Sequence, residues 1–121
     1  MNESPLERVR RICLALPEAT EKVAWGAPTF RVRDKKMFAI YAEHHHGDER
    51  IALWCHAPPG AQEILAGSEP KRVFVPPYMG VRGWIGLDLA TNSDAQLTEH
   101  VREAYRLVAP KKLQQLLDEG G

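Results

Sequence analysis

The sequence has few of the features that mark specialised classes of protein. Two cysteines in 121 residues are too few for a disulfide framework or a four-cysteine zinc site. The longest uninterrupted apolar run, residues 37–42, is far shorter than the roughly 20 residues that span a bilayer. Residues 1–11 are charged and polar, unlike a signal peptide. We therefore expect a cytoplasmic protein with free thiols and no membrane partner.

The chain also lacks an excess of charge of either sign. Its 16 basic and 16 acidic residues cancel, which disfavours a protein that covers nucleic acid with a uniformly basic surface. With 44% hydrophobic and 26% charged residues, the composition is typical of a globular domain. A length of 121 residues fits a single domain, which we assign to residues 1–121.

Helical and extended patterns follow one another in an order typical of an α+β domain. Ser4 and Glu7 form a capping box around Pro5, and an apolar stripe at helical spacing ends at Pro17. Further patterns predict strands at 20–25, 28–33, 37–43 and 50–56, a short helix at 61–66, strands at 71–75 and 83–89, and a helix from Ser93 that Pro110 kinks or divides. The sequence thus predicts a two-layer domain with an antiparallel β-sheet packed against N-terminal and C-terminal helices, in the order α-β-β-β-β-α-β-β-α.

No pattern for catalysis or for a cofactor stands out. The chain has neither a G-x-S-x-G nucleophile elbow nor a glycine-rich phosphate loop. Cys13 falls on the apolar stripe of the first helix, and Cys55 shares a strand face with Leu53, so both thiols are predicted to be buried. We expect a protein that is not an enzyme and needs no cofactor.

Three consecutive histidines, His44 to His46, are the most conspicuous polar cluster. In an extended loop their side chains alternate in direction, so they cannot all reach one metal ion. The chain has no C-x-x-C or H-x-x-x-H pattern to complete a site. A solvated hairpin loop is therefore the favoured interpretation, and a metal site is the alternative.

Positive charge is concentrated in two stretches. The hairpin at 31–36 opposes four basic residues with only Asp34, and residues 70–87 contain no acid at all. If both stretches lie along one groove, they can contact the phosphates of double-stranded DNA. The alternative is a solvated charged edge that blocks pairing between sheets. The candidate nucleic-acid contacts are Arg31, Arg33, Lys35, Lys36, Lys71, Arg72 and Arg82.

Aromatic residues suggest two further surfaces. Trp54 and Trp84 have the outward parity of their strands, where they can stack on bases, anchor a homodimer or lie beneath other parts of the chain. Trp25, Tyr78 and Trp84 are candidate residues of a pocket in which Arg82 would hold an anion.

Several segments together resemble the MmcQ/YjbR family of small bacterial proteins, in the family's order and over nearly the whole chain. These segments are LALPEA at 14–19, WGAPTFRV at 25–32, KMFA at 36–39, VPPY at 75–78, GWIG at 83–86 and APKKL at 109–113.

The resemblance implies a compact α+β fold similar to type III secretion chaperones and to the CyaY-like topology. It also implies a DNA-binding protein with a double-wing motif. The wings would be the 31–36 hairpin and a second projection near 71–82. Our leading hypothesis is a cytoplasmic DNA-binding module. The alternatives are a protein-interaction module or homodimer, and a small-ligand-binding domain without catalysis.

Overall fold

The first helix begins at the cap that the sequence predicts. The computed structural model describes residues 3–43 and 50–120. In it, the Ser4 hydroxyl accepts a hydrogen bond from the N–H of Glu7, and the Glu7 carboxylate accepts one from the N–H of Ser4. The α-helices are α1 (Pro5–Cys13), α2 (Ala61–Ser68), α3 (Asp94–Val108) and α4 (Lys111–Glu119). Pro110 divides the C-terminal helical region because the residue before a proline is driven out of the helical conformation.

Six strands form one antiparallel sheet, which confirms the predicted α+β fold. Their order across the sheet is β1-β2-β3-β4-β6-β5. The strands are β1 (Ala19–Ala24), β2 (Ala27–Val32), β3 (Lys36–Glu43), β4 (Ile51–Cys55), β5 (Val73–Phe74) and β6 (Ile85–Asp88). The two edges of the sheet are therefore β1, early in the chain, and the short β5.

One face of the sheet carries the main core. Helices α1, α3 and α4 cover this face, and the Tyr105 ring meets the Phe38 ring edge to face at a centroid distance of 5.7 Å. The Tyr105 hydroxyl donates a hydrogen bond of 2.7 Å to the carbonyl of Pro17, which fixes the chain between α1 and β1. Cys13 and Cys55 are buried in this core, as predicted.

The opposite face carries a second, smaller apolar cluster. Trp54 and Trp84 have the outward parity that the sequence indicates, yet they are only 6% and 3% exposed. They pack with Ile40, and Phe74 and Met79 lie against them. This burial agrees with the alternative in which the two tryptophans lie beneath other parts of the chain, here Phe74 and Met79.

The strand predicted at 71–75 shrinks to Val73–Phe74. The backbone carbonyl of Arg72 is taken by Asn92 Nδ2 and by the N–H of Asp88, and the carbonyl of Lys71 accepts from the Thr91 hydroxyl. The bond from Asp88 continues the pairing with β6, but the N–H groups of Arg72 and Val73 both donate to the Glu69 carbonyl at the end of α2, so residues 71–72 form a turn there.

The segment after β5 also differs from the expected second wing. It continues as an extended stretch through two prolines and then a single 3₁₀ turn, Met79–Arg82, which packs beside Trp84. It is not a projecting β-hairpin. The predicted histidine loop, His44 to His46, lies outside the described residues. Within the described ranges, no helix is both long and apolar enough to cross a bilayer.

Candidate functional site

The 31–36 hairpin and the pair Lys71 and Arg72 lie at opposite corners of the sheet, and Arg82 lies in the 3₁₀ turn before β6, at the same end of the sheet as the hairpin. The turn between β2 and β3 lies beyond Lys36, at the end of the sheet where β4 finishes and β6 begins. Lys71 and Arg72 precede Val73, which is level with Leu87 near the other end of the sheet. Strands β3, β4 and β6 separate β2 from β5, a distance of about 19 Å at the usual strand spacing. The two groups therefore do not line a common groove.

Three of the seven basic side chains are held by the protein itself. The Arg33 guanidinium makes a bidentate pair with the Glu18 carboxylate at 2.9 and 3.0 Å, and this pair lowers the pKa of Glu18. Arg72 donates to the Glu69 carboxylate and to Asn92 Oδ1. Arg31 donates to the Thr29 hydroxyl and to the Lys35 carbonyl. Arg33 is exposed despite its ion pair, and the other exposed basic residues of the seven are Lys35, Lys36, Lys71 and Arg82.

A groove of about 660 Å³ lies at the end of the sheet where β1 turns into β2. Two of the three predicted pocket residues, Trp25 and Tyr78, line it. Trp84 and Arg82 are not among its lining residues, so this groove does not bring together all the residues predicted for an anion-holding pocket. The residues that line the groove are Leu6, Ala24, Trp25, Gly26, Ala27, Pro28, Ile40, Tyr41, Ala42, Glu43, Trp54, Tyr78 and Met79.

Trp25 stands at the tip of a tight turn between β1 and β2. Ala24 pairs with Ala27, so Trp25 and Gly26 form a two-residue hairpin loop. Both have positive φ, +53° and +74°, which is the pattern of a type I′ turn. Such turns favour Asn-Gly, and a tryptophan in this backbone conformation is strained by about 1–2 kcal/mol. The Trp25 side chain is 81% exposed, so burial does not offset this cost.

Tyr78 is held in a second strained turn. Its φ and ψ are +63° and −55°, and the N–H of Met79 donates to the carbonyl of Pro77 at 2.6 Å. This combination defines a γ-turn of the rare, strained kind. The Tyr78 side chain is 66% exposed. Two strained aromatic residues, far apart in the chain, thus border the same groove.

The other non-glycine residues with positive φ lie away from the groove. Glu18, Arg33 and Asp34 lie together at the opposite end of β2. There the N–H of Arg33 donates to the Glu18 carbonyl, and the N–H of Asp34 donates to the Thr20 hydroxyl. These bonds account for their conformation. The strain at Trp25 and Tyr78 instead coincides with the groove, and strain of this kind is concentrated at binding sites.

Among the described residues that line the groove, one carries a carboxylate, Glu43. Glu43 accepts a hydrogen bond of 2.9 Å from the hydroxyl of Tyr41. Burial, together with this bond and the charge of Glu43, raises the pKa of Tyr41 to about 12. Because residues 40 and 42 face one side of the sheet and residues 41 and 43 the other, the groove reaches both faces at this end.

The groove offers no activated thiol. Burial raises the pKa of Cys13 well above its ordinary value and that of Cys55 to about 12. Neither cysteine lines the groove. Among residues 3–43 and 50–120, no group of three potential metal ligands comes together.

The sequence reasoning found two groove residues and missed the others. Ile40, Ala42 and Trp54 lie on the sheet face that carries the smaller apolar cluster. The sequence does not show that part of this face is open to the groove. The signal that could have located the site was the pair Trp25-Gly26, an unusual two-residue turn with a large aromatic residue between two strands. Nothing in the sequence marked Glu43, because its relation to the turn depends on strand register.

Fold and site define the class of protein: a small α+β domain with one helix-covered sheet face and an aromatic groove at one end of the sheet. The YjbR family model matches residues 14–107, so the chain belongs to the YjbR family. This confirms the family resemblance seen in the sequence segments.

Comparison with solved structures supports the same architecture. The crystal structure of Deinococcus radiodurans protein DR2400, which contains a DUF419 domain, is similar with a TM-score of 0.72. The alignment covers 97% of this chain and 92% of that chain, at 20% sequence identity. The comparison therefore shows that the two chains share a fold. No curated protein matches the chain.

Proposed function

We propose that this protein is a non-catalytic module that binds a small ligand in the groove between Trp25 and Tyr78. The observation that carries the proposal is the presence of two exposed aromatic residues in strained backbone conformations on one apolar groove. The groove volume of about 660 Å³ is within the range of small-molecule sites, roughly 300–1,000 Å³.

The strained turns give the proposed site a physical advantage. A turn that holds its aromatic side chain at the groove before the ligand arrives lowers the ordering cost of binding. Trp25 is placed by a hairpin and Tyr78 by a γ-turn that follows two prolines, so both positions are set by short, stiff segments. Ligand binding would cover the exposed rings and release the water around them.

A titration with a neutral aromatic probe tests this function. We would follow the indole N–H cross-peaks of isotope-labelled protein as benzyl alcohol is added. Saturable shifts are expected for Trp25 and Trp54, which line the groove, and not for Trp84, which does not.

Two variants make the titration specific. Trp25→Ala should weaken the binding of benzyl alcohol about tenfold because it removes one aromatic wall. Val23→Ala, at a neighbouring residue that is 68% exposed but outside the lining, should leave the affinity unchanged. An absence of saturable shifts, or equal affinity of wild type and Trp25→Ala, would overturn the proposed function.

DNA binding, which the family resemblance implies, is the second candidate. The hairpin between β2 and β3 supports it, because Lys35 and Lys36 are exposed at its tip. This hairpin would act as a single wing, since residues 71–82 form no second one. A gel shift at low salt is the test. Retardation of duplex DNA that is lost in a Lys35→Glu, Lys36→Glu variant supports the candidate, and unretarded DNA at tens of micromolar protein contradicts it.

A further inference from the structure

We propose that Gln62, a residue of α2, is the positioning residue that holds Tyr78 at the groove and so controls the affinity of the site. This inference rests on the proposed function and adds the residue that maintains its binding conformation. Tyr78 belongs to the connecting segment, residues 75–84, which joins β5 to β6. Tyr78 and Met79 of this segment line the groove, whereas Gln62 is not among the described lining residues.

The Gln62 side chain binds the connecting segment at two points. Its Nε2 donates one hydrogen bond of 2.8 Å to the carbonyl of Gly80 and one of 2.7 Å to the carbonyl of Trp84. A primary amide has two N–H groups, so this side chain satisfies both carbonyls at once. Because the two carbonyls can only accept, an ionised carboxylate could not take the same role. Gln62 therefore ties the 3₁₀ turn that follows Tyr78 to α2.

Gly80 connects this attachment to the strained turn of Tyr78. The N–H of Gly80 donates to the carbonyl of Pro76 at 3.0 Å, a bond that spans Tyr78. Gly80 is thus held from two directions, since its N–H closes the loop around Tyr78 and its carbonyl accepts from Gln62. A strained backbone conformation persists only where the surrounding contacts maintain it. Loss of the Gln62 hydrogen bonds should therefore let the loop relax and carry the Tyr78 ring out of its place at the groove.

The connecting segment is more exposed than the strands that it joins, and α2 offers it a fixed support. Val75, Tyr78 and Val81 are 54%, 66% and 94% exposed, so burial contributes little to the position of these side chains. Helix α2 is held in place because Leu65 packs against the main core. Gln62 therefore links a segment on one face of the sheet to the core on the other. Segments with few buried apolar contacts open most readily, so these hydrogen bonds should decide how often the segment is in place.

Gln62→Glu tests the role of the amide with almost no change in shape. At about pH 7 its carboxylate cannot donate, so fewer molecules keep Tyr78 in place and the affinity for benzyl alcohol should fall about fivefold relative to wild type. At about pH 4, close to the ordinary glutamate pKa of about 4.3, the protonated form donates one bond, so the loss should shrink to about twofold. Benzyl alcohol is neutral at both pH values, and wild type is measured under the same conditions.

Gln114→Glu is the matched control. Gln114 Nε2 also donates to a backbone carbonyl, that of Ala109 at 2.8 Å, and neither residue is among those that line the groove. The affinity of this variant for benzyl alcohol should equal that of wild type at both pH values. An equal loss of affinity in Gln62→Glu and Gln114→Glu would overturn the inference, because it would reflect stability in general.

Amide hydrogen exchange gives a readout that needs no ligand. At neutral pH, the Gly80 amide should exchange about fivefold faster in Gln62→Glu than in wild type, because the loop around Tyr78 opens more often. The amide of Ala104, buried in α3, should exchange at the same rate in both proteins. Unchanged exchange at Gly80 would overturn the role of Gln62 in holding the connecting segment.

The titrations distinguish failure of the inference from failure of the proposed function. If wild type binds benzyl alcohol in the groove and Gln62→Glu binds it equally well at neutral pH, the small-ligand function stands and the inference is overturned. If wild type shows no saturable shift of the Trp25 indole cross-peak, the proposed function and the role of Gln62 in affinity are both overturned.

Discussion

At the scale of single residues, the account depends on the backbone of Trp25. A hairpin loop of two residues with positive φ is most stable with asparagine followed by glycine. This chain has the glycine, Gly26, and a tryptophan where asparagine would be favoured. Because the Trp25 side chain is mostly exposed, its burial contributes little free energy to offset the backbone strain. The account therefore assigns the Trp25 side chain a role in ligand binding rather than in stability.

Replacing Trp25 by asparagine should stabilise the protein while it weakens the binding of benzyl alcohol about tenfold, as Trp25→Ala does. We expect the free energy of unfolding to rise by about 1 kcal/mol, because asparagine adopts positive φ with little strain. Urea unfolding measures the change. Trp25→Ala is the matched control, since alanine removes the ring but retains most of the strain. Equal stabilities of the asparagine and alanine variants would contradict the assignment of strain to the backbone.

Tyr41 gives the domain a specific sensitivity to alkali. The pKa of Tyr41 is raised to about 12, first by burial and then by its hydrogen bond to Glu43 and the charge of that carboxylate. An unfolded tyrosine has a pKa of about 10, so above that pH the unfolded chain releases a proton that the folded chain retains. The contribution to stability is complete below about pH 10 and is lost as the pH rises towards 12.

In Tyr41→Phe, the free energy of unfolding should fall less steeply as the pH rises above about 10. Urea unfolding of wild type and variant at about pH 9 and about pH 11 measures the slope, to which the other titrating groups contribute equally in both proteins. A slope that is the same in the two proteins would show that Tyr41 titrates normally in the folded state.

At the scale of elements, the cover over the second sheet face depends on a glycine. A Cβ atom at Gly86 would lie 2.8 Å from Cε1 of Phe74 and closer still to two other atoms of that ring. The Phe74 ring is itself packed beneath the Arg50 guanidinium. The short β5 can therefore lie against β6 because Gly86 leaves room for the ring.

Gly86→Ala should destabilise the domain by about 1–3 kcal/mol through overpacking. The same substitution should cost less in a Phe74→Ala background, where the overlapping ring is absent. Gly67→Ala is the control, because Gly67 is exposed within α2 with open space around it, and alanine there should stabilise by about 0.5–1 kcal/mol. Chemical denaturation of the wild type, Gly86→Ala, Phe74→Ala, the double variant and Gly67→Ala measures these costs, and an equal cost of Gly86→Ala in both backgrounds would contradict the contact.

The elements show which parts of the fold are predictable from sequence. The capping box at Ser4 and Glu7 and the alternation of Leu53 and Cys55 depend on neighbours in sequence, and the predictions from them are confirmed. The strand predicted at 71–75 is too long because the N–H groups of Arg72 and Val73 donate to the Glu69 carbonyl at the end of α2, a turn that the apolar pattern does not reveal. The parity of Trp84 was predicted correctly, but its burial depends on a segment that folds back from another strand.

At the scale of the whole molecule, the arrangement of charge could not be inferred from the sequence. Two basic stretches suggested two wings, but sheet order places β2 and β5 on opposite sides of three other strands. Glu18 and Glu69 then pair with Arg33 and Arg72. What the topology does bring together is the turn at Trp25, the end of β3 and the γ-turn at Tyr78. A site built from three separated segments is visible only once strand register is known.

The most direct test of the central claim is to locate a bound probe by nuclear Overhauser effects to its protons. With the protein saturated by benzyl alcohol, the account predicts effects from the benzyl alcohol protons to the ring protons of both Trp25 and Tyr78. Effects confined to the β2–β3 hairpin, or none at all at saturation, would contradict the claim that the groove between these two strained aromatic residues is a binding site.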